Sequence, residues 1–104
     1  MTERYEILRS IVESLEKLLA AGRMTLSEWR NARVALYVAQ ADLCADTAER
    51  IKVYEEMVDF LRDAEQLARR RAASGQMTGA EVLQARLATI EAQMALERLR
   101  LGQT

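Results

Sequence analysis

Carboxylates and arginines are the side chains with chemical potential in this chain, because histidine is absent. Glu55, Asp59 and Asp63 recur at i, i+4 and i+8, which puts them on one side of a helix, with Glu56 and Glu65 beside them. Like charges at that spacing repel by about 0.2–0.5 kcal/mol per pair. The run is therefore a solvated outer face, partly balanced by Lys52 and Arg62, or a face that docks a basic partner protein or weakly holds a divalent cation. Without histidine the chain lacks the usual general base, the commonest metal ligand and the Glu-x-x-His signature of di-iron bundles. A serine or cysteine nucleophile would have no base. The glycines are isolated helix stops, so no loop cradles phosphate. No catalytic residue, cofactor site or metal site is assigned, and the chain is expected not to be an enzyme.

The remaining charge is unremarkable. Fifteen basic and sixteen acidic residues give a net charge of −1, which recruits neither nucleic acid nor an anionic membrane. Arg69-Arg70-Arg71 closes a helical stretch, where cations suit the helix dipole and Glu65 can pair with Arg69. Cys44 is the only cysteine and sits among Ala and Leu, which marks it as a small buried hydrophobe. The longest apolar run, residues 34–45, is interrupted by Gln40 and Asp42. It falls short of the roughly 20 residues that a membrane span needs. No secretory signal precedes the first helix, so a cytoplasmic location is expected if the chain is full length and none is assigned if it is a fragment.

What positions these residues is helix throughout. Half of the 104 residues are hydrophobic, 30% are charged and proline is absent, with Ala, Leu, Glu and Arg dominant. Three helices are predicted, over residues 3–21, 26–74 and 79–101. In the first, Leu8, Ile11, Leu15 and Leu18 form an apolar stripe flanked by Val12 and Leu19. In the last, Leu83, Leu87, Ile90 and Met94 form one stripe, and Ala85, Ala88, Ala92 and Ala95 form a second beside it. The middle helix carries a seam through Trp29, Ala32, Leu36, Ala39 and Leu43, then Thr47, Ile51, Tyr54, Val58, Leu61, Ala64 and Ala68. Its spacing slips to four-four between Leu43 and Ile51, a stutter that unwinds a left-handed coiled coil. An alternative is a break near residues 45–47, where Asp46 and Glu49 form an N-cap pair of their own.

Two turns carry the same signals. Gly22 and Gly75 supply the left-handed residue that ends a helix. Thr25 and Thr78 are N-caps, and Glu28 and Glu81, three residues on, reach back to the cap amide as a capping box. Met24 and Met77 precede the caps and act as hydrophobic staples toward Trp29 and Val82. Each cap contributes about 1 kcal/mol. The likeness extends further. GRMTLSEWRNARVALYVAQADL aligns without gaps on GQMTGAEVLQARLATIEAQMAL, with ten identities in 22 positions, including Ala32/Ala85, Arg33/Arg86, Ala39/Ala92 and Leu43/Leu96. Such agreement indicates a duplicated helix–turn–helix unit within one all-helical domain of residues 1–104, the halves being about 1–52 and 53–104.

The second unit resembles a segment of the TolC-type outer-membrane efflux family. The shared pattern falls on Ala68, Arg71, Gly75, Thr78, Glu81, Val82, Leu83, Ala85 and Ala92, and the first unit matches through Gly22, Thr25, Glu28, Ala32 and Ala39. That family is built from an internal duplication with long α-hairpins and trimerises into export channels. The resemblance covers the helical hairpins alone, with no strands for a barrel and no signal peptide. It implies a helical-hairpin scaffold that self-associates, not a channel.

Helix lengths complete the expectation. At 1.5 Å per residue the outer helices, about 28 and 33 Å, together nearly match a middle helix of about 70 Å. Two antiparallel hairpins sharing one long central helix would form an extended coiled coil, with the outer helices tiling the middle one and the termini meeting near its centre. Such a rod is too thin to bury its surplus stripes, so pairing into a dimeric four-helix bundle is expected. A break in the middle helix instead gives a compact monomeric four-helix bundle. The expected function is a non-enzymatic coiled-coil interaction module whose partner is itself, most simply as a homodimer. Two alternatives are a small helical regulator binding another protein through Glu55, Asp59 and Asp63, and a weak metal-binding carboxylate bundle. Nucleic acid is not an expected partner.

Overall fold

Four helices form in the computed structural model, which describes residues 2–102: α1 (Thr2–Ala20), α2 (Leu26–Asp42), α3 (Thr47–Ala73) and α4 (Gly79–Leu101). No strand occurs among the described residues.

The turns after α1 and α3 are built alike. Gly22 and Gly75 stand at φ 71° and 79°, the left-handed region that a β-carbon disfavours. Around each, one amide bonds back five residues and the amide before it bonds within that loop. Arg23 N–H reaches Leu18 O at 2.8 Å and Gly22 N–H reaches Leu19 O at 3.0 Å. Gln76 N–H reaches Arg71 O at 2.7 Å and Gly75 N–H reaches Ala72 O at 3.0 Å. These bonds satisfy carbonyls that a bare helix end would leave open. Thr25 and Thr78 then cap α2 and α4, each hydroxyl accepting from the amide of the residue three further on. The box closes fully only at Thr78, whose amide donates to Glu81 Oε1 at 3.1 Å. Glu28 departs from the expected return bond: its Oε1 accepts from the Thr25 hydroxyl at 3.0 Å.

The continuous helix over residues 26–74 does not form. α2 ends at Asp42, and Leu43 N–H and Cys44 N–H bond to Gln40 O and Ala41 O in tighter three-residue loops. Asp46 is extended, at φ −139° and ψ 170°, and its Oδ1 accepts from Glu49 N–H at 2.8 Å. Glu49 Oε2 accepts in turn from Ala45 N–H at 3.1 Å. A third cap thus starts α3 without glycine or proline. The stutter between Leu43 and Ile51 is resolved by a turn, and Leu43 is left exposed on it. The long rod tiled by two outer helices is thereby replaced by four separate helices.

Those helices are antiparallel neighbours. Arg4 pairs with Asp42 and Glu16 with Arg33 across α1 and α2. Glu55 pairs with Arg100 and Glu65 with Arg86 across α3 and α4. Packing follows chain order, α1 on α2, α2 on α3, α3 on α4. The result is a slab whose Cα atoms span 45 × 29 × 14 Å. Its radius of gyration, 14.7 Å, exceeds the roughly 13 Å of a round domain of this length. The bundle is laid open.

α3 lies between α2 and α4 and holds the core. Met57, Val58 and Leu61 are buried with Ala92 and Leu96 of α4, and Val34, Tyr37 and Val38 of α2 pack against them. On α4 it is the small-residue stripe that turns inward: Ala85, Thr89, Ala92 and Leu96 are buried. Small side chains let two helix backbones approach closely. The Thr89 hydroxyl bonds to Ala85 O at 3.2 Å, so no polar group is orphaned there. α1 is rotated from the expected stripe. Tyr5, Leu8, Val12, Leu15 and Leu19 form its less exposed face, while Ile7, Ile11 and Leu18 are exposed. The duplicated hairpin sets this face, because Leu8, Val12 and Leu15 occupy the repeat positions of Leu61, Glu65 and Ala68, all buried in α3.

Candidate interaction surfaces

The aromatic side chains meet where α2 crosses α3. Phe60 stands edge-on to Trp29, ring centroids 5.0 Å apart, and tilted against Tyr37 at 5.9 Å. The Arg33 guanidinium lies 4.8 Å from the Phe60 centroid and 5.2 Å from that of Tyr37, and donates to the Tyr37 hydroxyl at 2.9 Å. Glu16 of α1 stands 3.8 Å from Arg33 and 3.4 Å from the Trp29 indole nitrogen. Three helices are joined at this point by one arginine and three rings. The cluster fastens the fold. The apolar seam read from periodicity includes Trp29 but neither Tyr37 nor Phe60, and Phe60 stands at the repeat position of exposed Ile7. An aromatic at one copy of a position and an aliphatic at the other was the available signal.

The acidic residues are not held together as one site. Glu55 and Asp59 line a shallow depression beside α4, together with Gln93, Glu97 and Arg100. Arg100 donates to Glu55 at 3.0 Å and to Glu97 at 2.9 Å, and these bonds, Glu97 first, raise its pKa above the ordinary arginine value. Asp63 instead lines a depression toward α2, with Trp29, Arg33 and Phe60. Among the described residues no three His, Cys, Asp or Glu side chains lie together as a metal site. Cys44 is partly buried and free.

Among the described residues two charged side chains are buried. Glu65, in the α3–α4 interface, accepts from Arg69 at 2.7 Å. Its other oxygen faces Arg86 at 3.6 Å and has no hydrogen-bond partner. Arg30 lies in the groove between α2 and α4, where burial pushes its pKa down. Its Nη2 stands 3.4 Å from Ser27 Oγ, and its Nε is unpartnered. Beside it, Val34, Val38, Met57, Leu61, Ala88 and Ala92 line an open apolar groove of about 360 Å³.

The outer face of α4 exposes large apolar side chains. Leu83 is 70% exposed, Leu87 55% and Met94 54%. Ile90, between them, is partly covered. Leucines at that spacing would ordinarily fill a core. No family model, curated protein or solved structure matches this chain. No helix among the described residues is long and apolar enough to cross a membrane.

Proposed function

We propose that this protein is a non-enzymatic helical-hairpin scaffold whose partner is a further copy of itself. One observation carries the reading. α4 has two apolar stripes; the alanine stripe takes the core, and the leucine stripe, Leu83-Leu87-Ile90-Met94, faces outward. Large aliphatic side chains in an unbroken row, aimed away from the chain's own core, mark an association surface. α1 adds a second, smaller row through Ile7, Ile11 and Leu18. The break at Asp46 changes the reason for self-association. A thin rod needing a second rod is no longer the motive; apolar faces left over by an open slab are. The smallest assembly is a homodimer. The likeness of the repeat unit to TolC-type hairpins supports a self-associating scaffold, and no channel is proposed.

Docking of a different protein on Glu55, Asp59 and Asp63 is the weaker reading, because Glu55 is ion-paired within the chain and Asp63 opens toward another helix. Light scattering across a concentration series tests self-association. Mass rising above that of one chain in the micromolar range is the expected result, and a strict monomer throughout overturns it.

A further inference from the structure

The two exposed apolar faces are the repeat counterparts of the two faces that already pack together inside the molecule. The repeat length is 75 − 22 = 53 residues. Inside the chain, α3 docks on α2 through Phe60, which lies against Trp29 and Tyr37. Moved back by one repeat, Phe60 becomes Ile7 and its neighbour Ala64 becomes Ile11. Moved forward by one repeat, Trp29 and Tyr37 become Val82 and Ile90, and Val34, which packs on the α3 core residues, becomes Leu87, with Leu83 one turn before it. Ile7 and Ile11 are 53% and 44% exposed, and Leu83 and Leu87 are 70% and 55% exposed.

We infer that α1 of one copy docks on α4 of the next as α3 docks on α2 within the chain. The inference rests on the self-association reading above and gives it a geometry. Substitutions between the repeats keep the two faces complementary. The aromatic set of the internal interface is replaced on both sides by aliphatics, Ile7 opposite Val82 and Ile90. Val38 and Met57, which line one groove of the internal interface, become Glu91 and Arg4. An apolar pair has been exchanged for a pair of opposite charges. Both are exposed, and Arg4 pairs with Asp42 in a 3.8 Å surface contact. Such an interface is head-to-tail. Each dimer keeps one free α1 face and one free α4 face, so assembly continues into a ring or a chain of copies rather than stopping at a twofold pair.

Complementation tests this arrangement. One variant blocks α1 (Ile7→Lys with Ile11→Lys) and another blocks α4 (Leu83→Lys with Leu87→Lys); all four positions are exposed, and circular dichroism verifies that each variant folds. In light scattering the wild type grows in mass with concentration. Each variant alone is expected to stay at the mass of one chain, and an equimolar mixture to double it, since the mixture retains one intact α1 face and one intact α4 face. If either variant alone keeps the wild-type mass, or the mixture does not associate, the head-to-tail contact is overturned while self-association stands. A wild type that never leaves the monomer overturns both. A second readout needs no lysine in the apolar face. Arg4→Glu and Glu91→Arg each weaken assembly alone, and mixing the two restores it; failure of the mixture to exceed either single variant counts against the pairing.

Discussion

Asp46→Ala probes what holds α2 and α3 apart. Asp46 Oδ1 accepts one amide bond, from Glu49 at 2.8 Å, at an exposed site. Losing an N-cap of this kind costs about 1 kcal/mol. The opposing quantity is the α2–α3 interface, which a continuous helix would pull apart. Truncating a fully buried aromatic costs about 3–5 kcal/mol; Phe60 is half-buried, so about 2–3 kcal/mol is expected of it, and the aromatic pairs add about 0.5–1.5 kcal/mol each. The packing outweighs the cap severalfold, so the break should survive loss of the cap. Asp46→Ala is therefore expected to lower stability by about 1 kcal/mol in urea unfolding and to lower the Tm by roughly 4–8 °C, with the shape unchanged. Small-angle scattering extrapolated to zero concentration reads the shape. The radius of gyration should stay near 14.7 Å. A fused helix over residues 26–73 would be about 72 Å long, and a rod of that length has a radius of gyration of about 21 Å. Adding Phe60→Ala removes the larger restraint, and the double variant should lengthen. Elongation of the single variant to about 20 Å would refute the reasoning, since the cap alone would then be holding the turn. An unchanged stability would refute it as well.

Four further outcomes follow from individual contacts. Phe60→Ala should cost about 2–3 kcal/mol in denaturant unfolding, below the cost of a fully buried aromatic because Phe60 is half-buried, and Phe60→Leu less than half of that, because leucine refills most of the space beside Trp29 and Tyr37. Glu65→Val places in α3 the residue that its repeat position holds in α1, Val12. Both arginines facing Glu65 are exposed enough to return to water, so stability should change by no more than about 1 kcal/mol in either direction; a loss above about 3 kcal/mol would show that the buried carboxylate is a net restraint. Gly75→Ala meets no neighbouring atom but must hold φ near +79°, which should cost about 1–2 kcal/mol by thermal unfolding. Thr78→Ala removes the hydroxyl of the closed capping box and should cost about 1 kcal/mol, read as faster amide exchange confined to the first turn of α4.

Local chemistry alone determined a good deal here. The two turns at Gly22 and Gly75 were legible because a left-handed glycine, a Thr cap and an acid three residues on are signals within one turn of chain. The duplication was legible because it preserves those signals in register. The cap pair Asp46–Glu49 could also be read, but not its effect. An acidic pair spaced by three is equally at home on the surface of an uninterrupted helix, and no glycine or proline settled the matter. The choice fell to residues distant in sequence. Only when α3 folds back can Phe60 sit between Trp29, Tyr37 and Arg33. The same limit applies to the surfaces. Both stripes of α4 have helical period, and periodicity does not say which faces inward. Packing on α3 buried Ala85, Thr89 and Ala92 and left Leu83 and Leu87 outside. On α1 the hairpin contact with α2 chose Val12 over Ile11, one residue apart in sequence and about 100° apart around the helix. Helix formation, capping and repetition are local and are written residue by residue. The facing of a stripe depends on what another helix brings to it, and that is known only once the chain has folded.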